Sequence, residues 1–495
     1  MARVSLAPNL RPLIADIAAF FGARGVTAYA VGGFLRDELL DLDPHDVDFA
    51  ASGDTLALGR ELADELGGAF VALDEARGHS RVVLPAGGLF IDLTPIAGTI
   101  EEDLRRRDYT IDALGAPLAD LSTGDAEVLD PTGGIADLEA KLVRATSEDA
   151  MREDPLRAMR GARIATQLGF ALEPGTREMI SRHAVAVAGA APERQREELM
   201  RLFSAESAGR GVRLMEELGL LSVVLPEIDV TRGVEQPKEH HYDVFGHSVA
   251  AVEALDALLA DDAPADEVAG RLWRELWGAL AWWESAREHF AEDVGPGTPR
   301  RALLKVCALL HDIGKPATKS FEESGRMRFF GHSDTGAQIA VRLMRRLRFS
   351  RREVHIVQKM IEAHLRPVQM AQERAPTKRA VYRYFRATGE AGIDCLFLSL
   401  ADHLATVGPD VRWEGFRVHV AVVSHILHLR FTDPKVIRPP KLIDGDDLMR
   451  EFGLGPGPLL GELLEAVREA HAVGEVNTAE EALALARGKL AEFGG

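Results

Sequence analysis

The chain has 495 residues, too many for one core of ordinary size, and its length predicts about three domains. It is 46% hydrophobic and 27% charged with a formal net charge of −19, a field that disfavours non-specific binding to nucleic acid or anionic membrane, so an RNA ligand needs a local basic surface. The two cysteines, Cys307 and Cys395, are far apart, which argues against a disulfide framework or thiolate zinc site and fits a reducing cytosol. No run approaches about 18 apolar residues, and "LRPLIADIAAFFGARG" is interrupted by Arg11 and Asp16, so neither a membrane span nor a secretory leader is expected.

In chain order, the first part mixes strands with helices. "VTAYAV" (26–31), "DVDFAA" (46–51), "AFVAL" (69–73), "SRVVLP" (80–85) and "LFIDLT" (89–94) read as strands, with "TLALGRELADEL" (55–66) as a helix between them. Gly32-Gly33 falls between the first strand and a short helix over 34–40. After about residue 140 the strand signals almost vanish and helical patterns take over. "GVEQPKEHHYD" (233–243) is polar and aperiodic and marks a boundary. "ADDAPADEVAG" (260–270) and "EDVGPGTPR" (292–300) read as surface loops, and "FTDPKVIRPPKLIDGDD" (431–447) as a linker into a last helical unit. The expected fold class is α+β, with boundaries that divide the chain into 1–140, 141–235, 236–430 and 431–495.

A double glycine before a helix lets a phosphate chain approach the backbone, and Arg36 would add a bidentate contact; a plain tight turn is the alternative. Asp46 and Asp48 are two apart in a β-like run, so both carboxylates face one way. Such like charges repel unless a cation sits between them, and oxygen ligands beside a phosphate suit Mg²⁺. Asp92 is a candidate third carboxylate, or a plain exposed strand position.

"VGGFLRD…DVDFA" resembles the first motif of the class II tRNA nucleotidyltransferase and bacterial poly(A) polymerase family. "RRRDYTIDAL" (105–114) is similar to its Arg-Arg-Asp motif, departing at Asp112 where the family usually has Asn. "LDPTGGIADLEAKLVRA" (129–145), "EDPLRAMRGARIATQLGF" (153–170) and "PERQREELMRLF" (192–203) follow in family order. The resemblance implies a polymerase β-like mixed-sheet head, an all-α neck and a template-independent enzyme acting on the tRNA 3′ end with CTP and ATP. It implies Asp46 and Asp48 as catalytic ligands of Mg²⁺. Gly32, Gly33 and Arg36 would hold the triphosphate, and Arg107 and Asp112 would contact the nucleotide sugar and triphosphate. Asp154 and Arg157 would read the base, with Arg160 and Arg163 continuing their helix face. Carboxylate plus guanidinium complements the amino donor and ring-nitrogen acceptor that cytosine and adenine share, and mismatches uracil and guanine. Asp154 as a helix cap with solvated arginines is the structural alternative. Only "PIAGTIEED" (95–103) connects the last strand to the Arg-Arg-Asp motif, so CC-only or A-only addition stands beside complete CCA addition, with poly(A) synthesis a further rival.

A second ordered series, His247, His311-Asp312, His332, His364 and Asp402, resembles the HD-domain phosphohydrolase superfamily. Imidazole with carboxylate suits Mn, Fe, Ni or Co, and six such residues allow a two-metal site; Asp312 bonded to His311 is the alternative. A chain that is chiefly an HD phosphohydrolase with a vestigial head is thus a rival reading. Finally, "RLMRRLRFSRR" (342–352) and "ERAPTKRAVYRYFR" (373–386) concentrate arginine, with Tyr382, Tyr384 and Phe385 interleaved: an RNA-tracking surface or an ordinary solvated face. "GLGPGP" (453–458) before the last helices is either a phosphate-binding turn or a simple loop.

Overall fold

The computed structural model describes residues 2–44, 46–85, 89–371 and 375–493; His45, Glu373 and Arg374 of the quoted stretches lie outside the described residues. The chain forms two compact units, Met1–Ala190 with Leu214–Val223, and Ala191–Arg213 with Val224–Gly495.

The first unit is built on a six-stranded mixed sheet. Its strands run in the spatial order 69–74, 79–83, 90–95, 46–51, 28–31, 115–117. Asp46–Ala51 lies inside the sheet, parallel to Phe90–Pro95 and antiparallel to Ala28–Val31. Its alternation sets its faces: Val47 and Phe49 are fully buried, while Asp46 and Asp48 point the other way. The helix Thr55–Leu66 follows because Asp54 accepts the N–H groups of Leu56 (3.0 Å) and Ala57 (3.1 Å), and it stops because Gly67 adopts the left-handed conformation. Leu58 and Leu62 bury its apolar stripe. Ile14, Ile17, Phe20 and Phe21 of the helix Arg11–Ala23 are buried too, with Phe21 edge-on to Phe49. Each such side chain contributes roughly 1.5–3 kcal/mol by leaving water.

The Arg-Arg-Asp stretch forms the end of the helix Ile100–Arg105 and the turn Thr110–Asp112. Buried Tyr109 donates its hydroxyl to the Arg157 carbonyl (2.6 Å) at the start of the helix Arg157–Leu168. Gly161 makes this possible, because a Cβ there would collide with the Tyr109 hydroxyl. Five short strands of this unit escaped sequence patterning: Arg3–Ser5, Gly115–Pro117, Asp125–Glu127, Leu142–Val143 and Ala171–Leu172.

The second unit is almost entirely helical. Val244–Leu258, Arg300–Leu310, Arg351–Ala363 and Gly392–Val407 are rich in buried apolar residues. Three expectations change here, the first being the stretch 260–270, read as a loop, whose last residues begin the helix Glu267–Ala279. The stretch 292–300, read as a loop, makes a small ribbon of Asp293–Gly295 with Thr298–Pro299. The stretch 431–447, read as a linker, holds the end of the helix Trp413–Thr432, a turn of helix at Pro434–Ile437 and the start of Gly445–Phe452. The last helices, Gly445–Phe452, Pro458–Ala472 and Ala479–Phe493, close around Leu448, Leu463, Val467 and Ala482. Among the described residues, no helix is long and apolar enough to cross a membrane.

Candidate functional site

In the first unit, Gly32 ends the Ala28–Val31 strand with φ +73°, a conformation open to glycine, and opens the helix Gly33–Leu39. A Cβ on Gly32 would lie 3.0 Å from an Arg107 guanidinium nitrogen and 3.3 Å from an Asp48 carboxylate oxygen. The diglycine turn, Asp48 and Arg107 therefore meet at one point. Asp48 lies in register with Asp92 on the parallel neighbour, and Asp92 with Arg81 on the antiparallel one. Arg81 grips Asp92 with two bonds of 2.7 Å and comes within 3.9 Å of Asp46. Burial, followed by the charge of Asp92, pushes the Asp48 carboxyl up to about 7 against the pull of Arg107; Asp46 and Asp112 add to the rise. A cluster of carboxylates that resists its own ionisation is a donor set suited to a divalent cation. Sequence reading found Asp92 but missed Arg81, whose signal exists only in the strand register.

Arg36 is engaged within the protein. It bonds Asp112 (2.6 Å) and Asp37 (2.8 Å), and its guanidinium lies against Gly33, 3.4 Å from where a Cβ would stand. Arg36 thus joins two carboxylates beside the Gly33 turn, and Asp112 is the more distant of them along the chain. Arg107 touches Asp103 (3.5 Å), while its carbonyl accepts the Thr146 hydroxyl.

Asp154 follows the helix Glu148–Glu153, and its carboxylate accepts the Leu156 N–H (3.1 Å). Arg157 donates to the Ala150 carbonyl (3.1 Å). Arg160 bonds buried Asp108 (2.8 Å), and Arg163 bonds Gln167 (2.6 Å). Burial opposes ionisation of Asp108, but Arg160 and then Arg157 hold its carboxyl below the usual range. The helix face is therefore a fixed hydrogen-bonded surface and not a loose fringe of arginines.

In the second unit the six metal-type residues meet. His247, His311, Asp312 and Asp402 present ligand atoms within 4.8 Å of one another, and Asp312 also groups with His332 and His364. His247 Nε2 is 3.0 Å from Asp402 and 3.3 Å from Asp312; His311 Nε2 is 3.2 Å from Asp312. The other Asp312 oxygen faces His332 (3.5 Å) and His364 (3.9 Å). Asp312 thus stands between two clusters, the place of a bridging ligand. Three imidazoles lie with Nδ1 against a carbonyl three residues back: His311 on Ala308 (2.7 Å), His332 on Phe329 (2.8 Å) and His364 on Ile361 (2.7 Å). Donation from Nδ1 leaves each Nε2 lone pair aimed at the cluster. Burial disfavours charge on His311, yet Asp312 and Asp402 raise it to about 10; burial and His311 lower His364 to about 4. The carboxylates draw positive charge into the cluster, here a proton on His311, and a divalent metal taking that proton's place would meet the same carboxylate and imidazole donors. Lys315 (2.6 Å from Asp312) and its partner Gln236 (2.6 Å) were missed by sequence reading.

The second basic stretch needs correction. Tyr382, Tyr384 and Phe385 are buried and unavailable for stacking on bases. Arg379, Arg383 and Arg386 pair with Glu469, Glu475 and Glu465 of the last helical unit. In the first stretch, Arg346 pairs with Glu227 and Arg352 with Glu390.

Family models match four segments: the poly A polymerase head domain at 90–144, the probable RNA and SrmB-binding site of polymerase A at 169–231, the HD domain at 284–407, and the putative tRNA nucleotidyltransferase domain 2 at 436–486. An A-adding tRNA nucleotidyltransferase of Deinococcus radiodurans is 36% identical over 464 residues, covering 92% of this chain and 94% of its own length. A CC-adding tRNA nucleotidyltransferase of Thermus thermophilus is also 36% identical, over 92% of each chain. The fold is that of the Thermotoga maritima CCA-adding enzyme solved with tRNA, with a TM-score of 0.57 at 20% identity over 98% of this chain and 96% of that one. The head and the HD domain imply dependence on divalent metal ions. With the motifs in family order and relatives matched across nearly their whole length, the chain belongs to the tRNA nucleotidyltransferase and poly(A) polymerase family and carries an HD domain.

Proposed function

We propose that this protein extends the tRNA 3′ end with C and A residues taken from CTP and ATP, without a nucleic-acid template, in the cytoplasm. The observation that supports this most is the meeting of Asp48, Arg107 and the Gly32 turn, with Asp46 and Asp92 beside them. In this reading the RNA 3′-oxygen bonds to the α-phosphorus, the bond to the bridging oxygen breaks, pyrophosphate leaves and the hydroxyl proton is released. Mg²⁺ held by Asp46 and Asp48 would supply Lewis-acid activation of the hydroxyl and screening of the leaving charge. Arg81 fixes Asp92 beside that pair. Gly32 and Gly33 leave room for the triphosphate along the backbone, and Arg107 faces it. Arg36 and Asp112 hold the Gly33 turn, a positioning role for both. Asp154 and Arg157 select the base; Arg160 and Arg163, through Asp108 and Gln167, keep that helix face in place. Most of the acceleration is then positioning and charge stabilisation.

Complete CCA addition is the first reading. Addition of CC only or A only is the second, favoured by the connection at 96–99, which is short and closed by a capping box between Thr99 and Glu102. The names of the two relatives at 36% identity point the same way. For the HD centre we propose a two-metal phosphohydrolase using Mn, Fe, Ni or Co, with Asp312 shared, acting on phosphate ends of RNA such as 2′,3′-cyclic phosphates. The deciding experiment supplies tRNA ending at the discriminator base with CTP alone, ATP alone, and both, and sizes the product. Growth by three residues when both are present establishes CCA addition; growth that stops at two with CTP whether or not ATP is added assigns CC addition, and growth by one with ATP only on a second tRNA substrate ending in CC assigns A addition. A long A tract marks a poly(A) polymerase, and no growth with intact phosphate release leaves an HD hydrolase with a vestigial head.

A further inference from the structure

A cavity of about 370 Å³ in the second unit shares no residue with the His247–Asp402 cluster. Its volume is in the range of small-molecule sites, and its walls include five arginines: Arg300, Arg352, Arg386, Arg430 and Arg438. Only Glu292 and Glu390 oppose them in the lining. This is a concentrated positive wall in a chain whose net charge is −19.

The arginines differ in how far the protein neutralises them. Arg352 is paired with Glu390 (2.8 Å) and Arg386 with Glu465 (3.1 Å). Arg300 is 2% exposed; it reaches Asp394 (3.0 Å) and Glu292 (3.4 Å), but its Nε has no hydrogen-bond partner among the described residues. Arg430 and Arg438 make no ion pair among the described residues. Arg430 lies against the rings of Phe385 (5.9 Å) and Phe431 (5.8 Å), where burial, then Arg438, disfavours its charge. Arg300 is balanced by Asp394, Glu292 and Glu390, so the positive charge left without a carboxylate is that of half-buried Arg430 and exposed Arg438, and an anion in the cavity would meet both.

The chemistry of that anion follows from the wall. A cation is repelled. A single small anion meets one or two of the guanidinium groups but not a set drawn from several helices. Linked phosphoryl groups present repeated oxygen edges that match the guanidinium fork. We propose that this cavity binds a small oligophosphate, either inorganic or the phosphate tail of a nucleotide. Arg300 begins the helix Arg300–Leu310, Arg430 ends Trp413–Thr432, and Arg438 follows Pro434–Ile437. The ligand therefore ties the segment leading to the last helical unit onto the core of the HD domain.

The test uses the full chain stripped with EDTA, which silences metal-dependent phosphate binding at the head and at the HD centre. Tripolyphosphate, ATP, adenosine and orthophosphate are titrated by calorimetry at constant ionic strength, with melting followed in parallel. The expected result is saturable binding of one equivalent of tripolyphosphate, a raised Tm, and no binding of adenosine. Arg430→Ala and Arg438→Gln should each weaken binding at least tenfold; Arg438 is exposed, so its variant folds even if the other does not. Nucleotide incorporation by Arg438→Gln should match wild type. For the binding that Arg438→Gln weakens, equal affinity for ATP and tripolyphosphate assigns a free oligophosphate, and tighter ATP binding assigns a nucleotide. Absence of saturable binding, or unchanged affinity in both variants, overturns the proposal. So does a loss of tRNA affinity in the variants when wild type ignores tripolyphosphate, because the wall then serves an RNA backbone.

Discussion

Asp48 owes its unusual carboxyl to its neighbours. It stands among Asp92, Asp46 and Asp112, and Arg107 pulls the other way. Removing it takes a ligand from the proposed Mg²⁺ site and also relieves like-charge repulsion. We therefore expect Asp48→Ala to cut nucleotide incorporation by at least about 10²–10³-fold, while its thermal melt stays at or above wild type; incorporation near wild type would remove Asp48 from the reaction. Asp154 is a sharper question, since its carboxylate already accepts the Leu156 N–H. If it also reads the base, Asp154→Ala raises UTP incorporation relative to CTP in single-nucleotide assays. If it only shapes the helix start, selectivity stays and the melt alone moves. Asp108 is a structural counterpart. Its folded-state carboxyl is depressed by Arg160 and Arg157, so the pairing stabilises the fold above the ordinary carboxylate range and fades as pH falls through the lowered value. Asp108→Asn should cost about 1–3 kcal/mol in urea melts at pH 7, with a smaller gap to wild type below about pH 4.

At the scale of elements, the last helical unit meets the helix Lys378–Thr388 through an ion-pair ladder and closes on an apolar core of its own. Arg379, Arg383 and Arg386 are largely exposed and face Glu465, Glu469 and Glu475. Exposed pairs are each worth roughly 0–1 kcal/mol and weaken with salt. Leu463, by contrast, is fully buried among Leu448, Val467 and Ala482. Denaturation should separate the two contributions. Glu469→Ala is expected to cost under about 1 kcal/mol, less in high salt, and Leu463→Ala about 2–5 kcal/mol at any salt. The reverse order would make the ladder the main fastening. Gly161 shows the same economy elsewhere: its missing Cβ lets Tyr109 hold the Arg157 helix to the Arg-Arg-Asp stretch.

For the whole molecule, the chain carries two sites suited to divalent metals on two units, and their independence can be measured. Asp312 belongs to both ligand clusters of the second unit, while His247 and His332 belong to one each. Metal analysis of purified variants should show both HD metals lost in Asp312→Ala and one lost in His247→Ala or His332→Ala. Phosphate release should fall in all three while nucleotide incorporation persists. Equal metal content in Asp312→Ala and wild type would end the shared-ligand reading.

The amino-acid sequence by itself determined the features that repeat along the backbone or recur as motifs. The helix Thr55–Leu66 was legible because its apolar stripe is flanked by Asp54 and Gly67. The strand Asp46–Ala51 was legible because it alternates, and alternation alone put both aspartates on one face. The six HD residues were legible as an ordered series. Strands such as Gly115–Pro117 were not, since three residues carry no period. Tertiary structure alone decided which charges meet. Arg81 reaches Asp92 only through sheet register, and Asp112 captures Arg36 only where the turn Thr110–Asp112 approaches the helix Gly33–Leu39. Tyr382, Tyr384 and Phe385 turned inward, and their neighbours Arg383 and Arg386 found glutamates about eighty residues away. Local pattern reports which face of an element is apolar; long-range packing chooses the partner of each charge, because Coulomb attraction depends on separation in space and not along the chain.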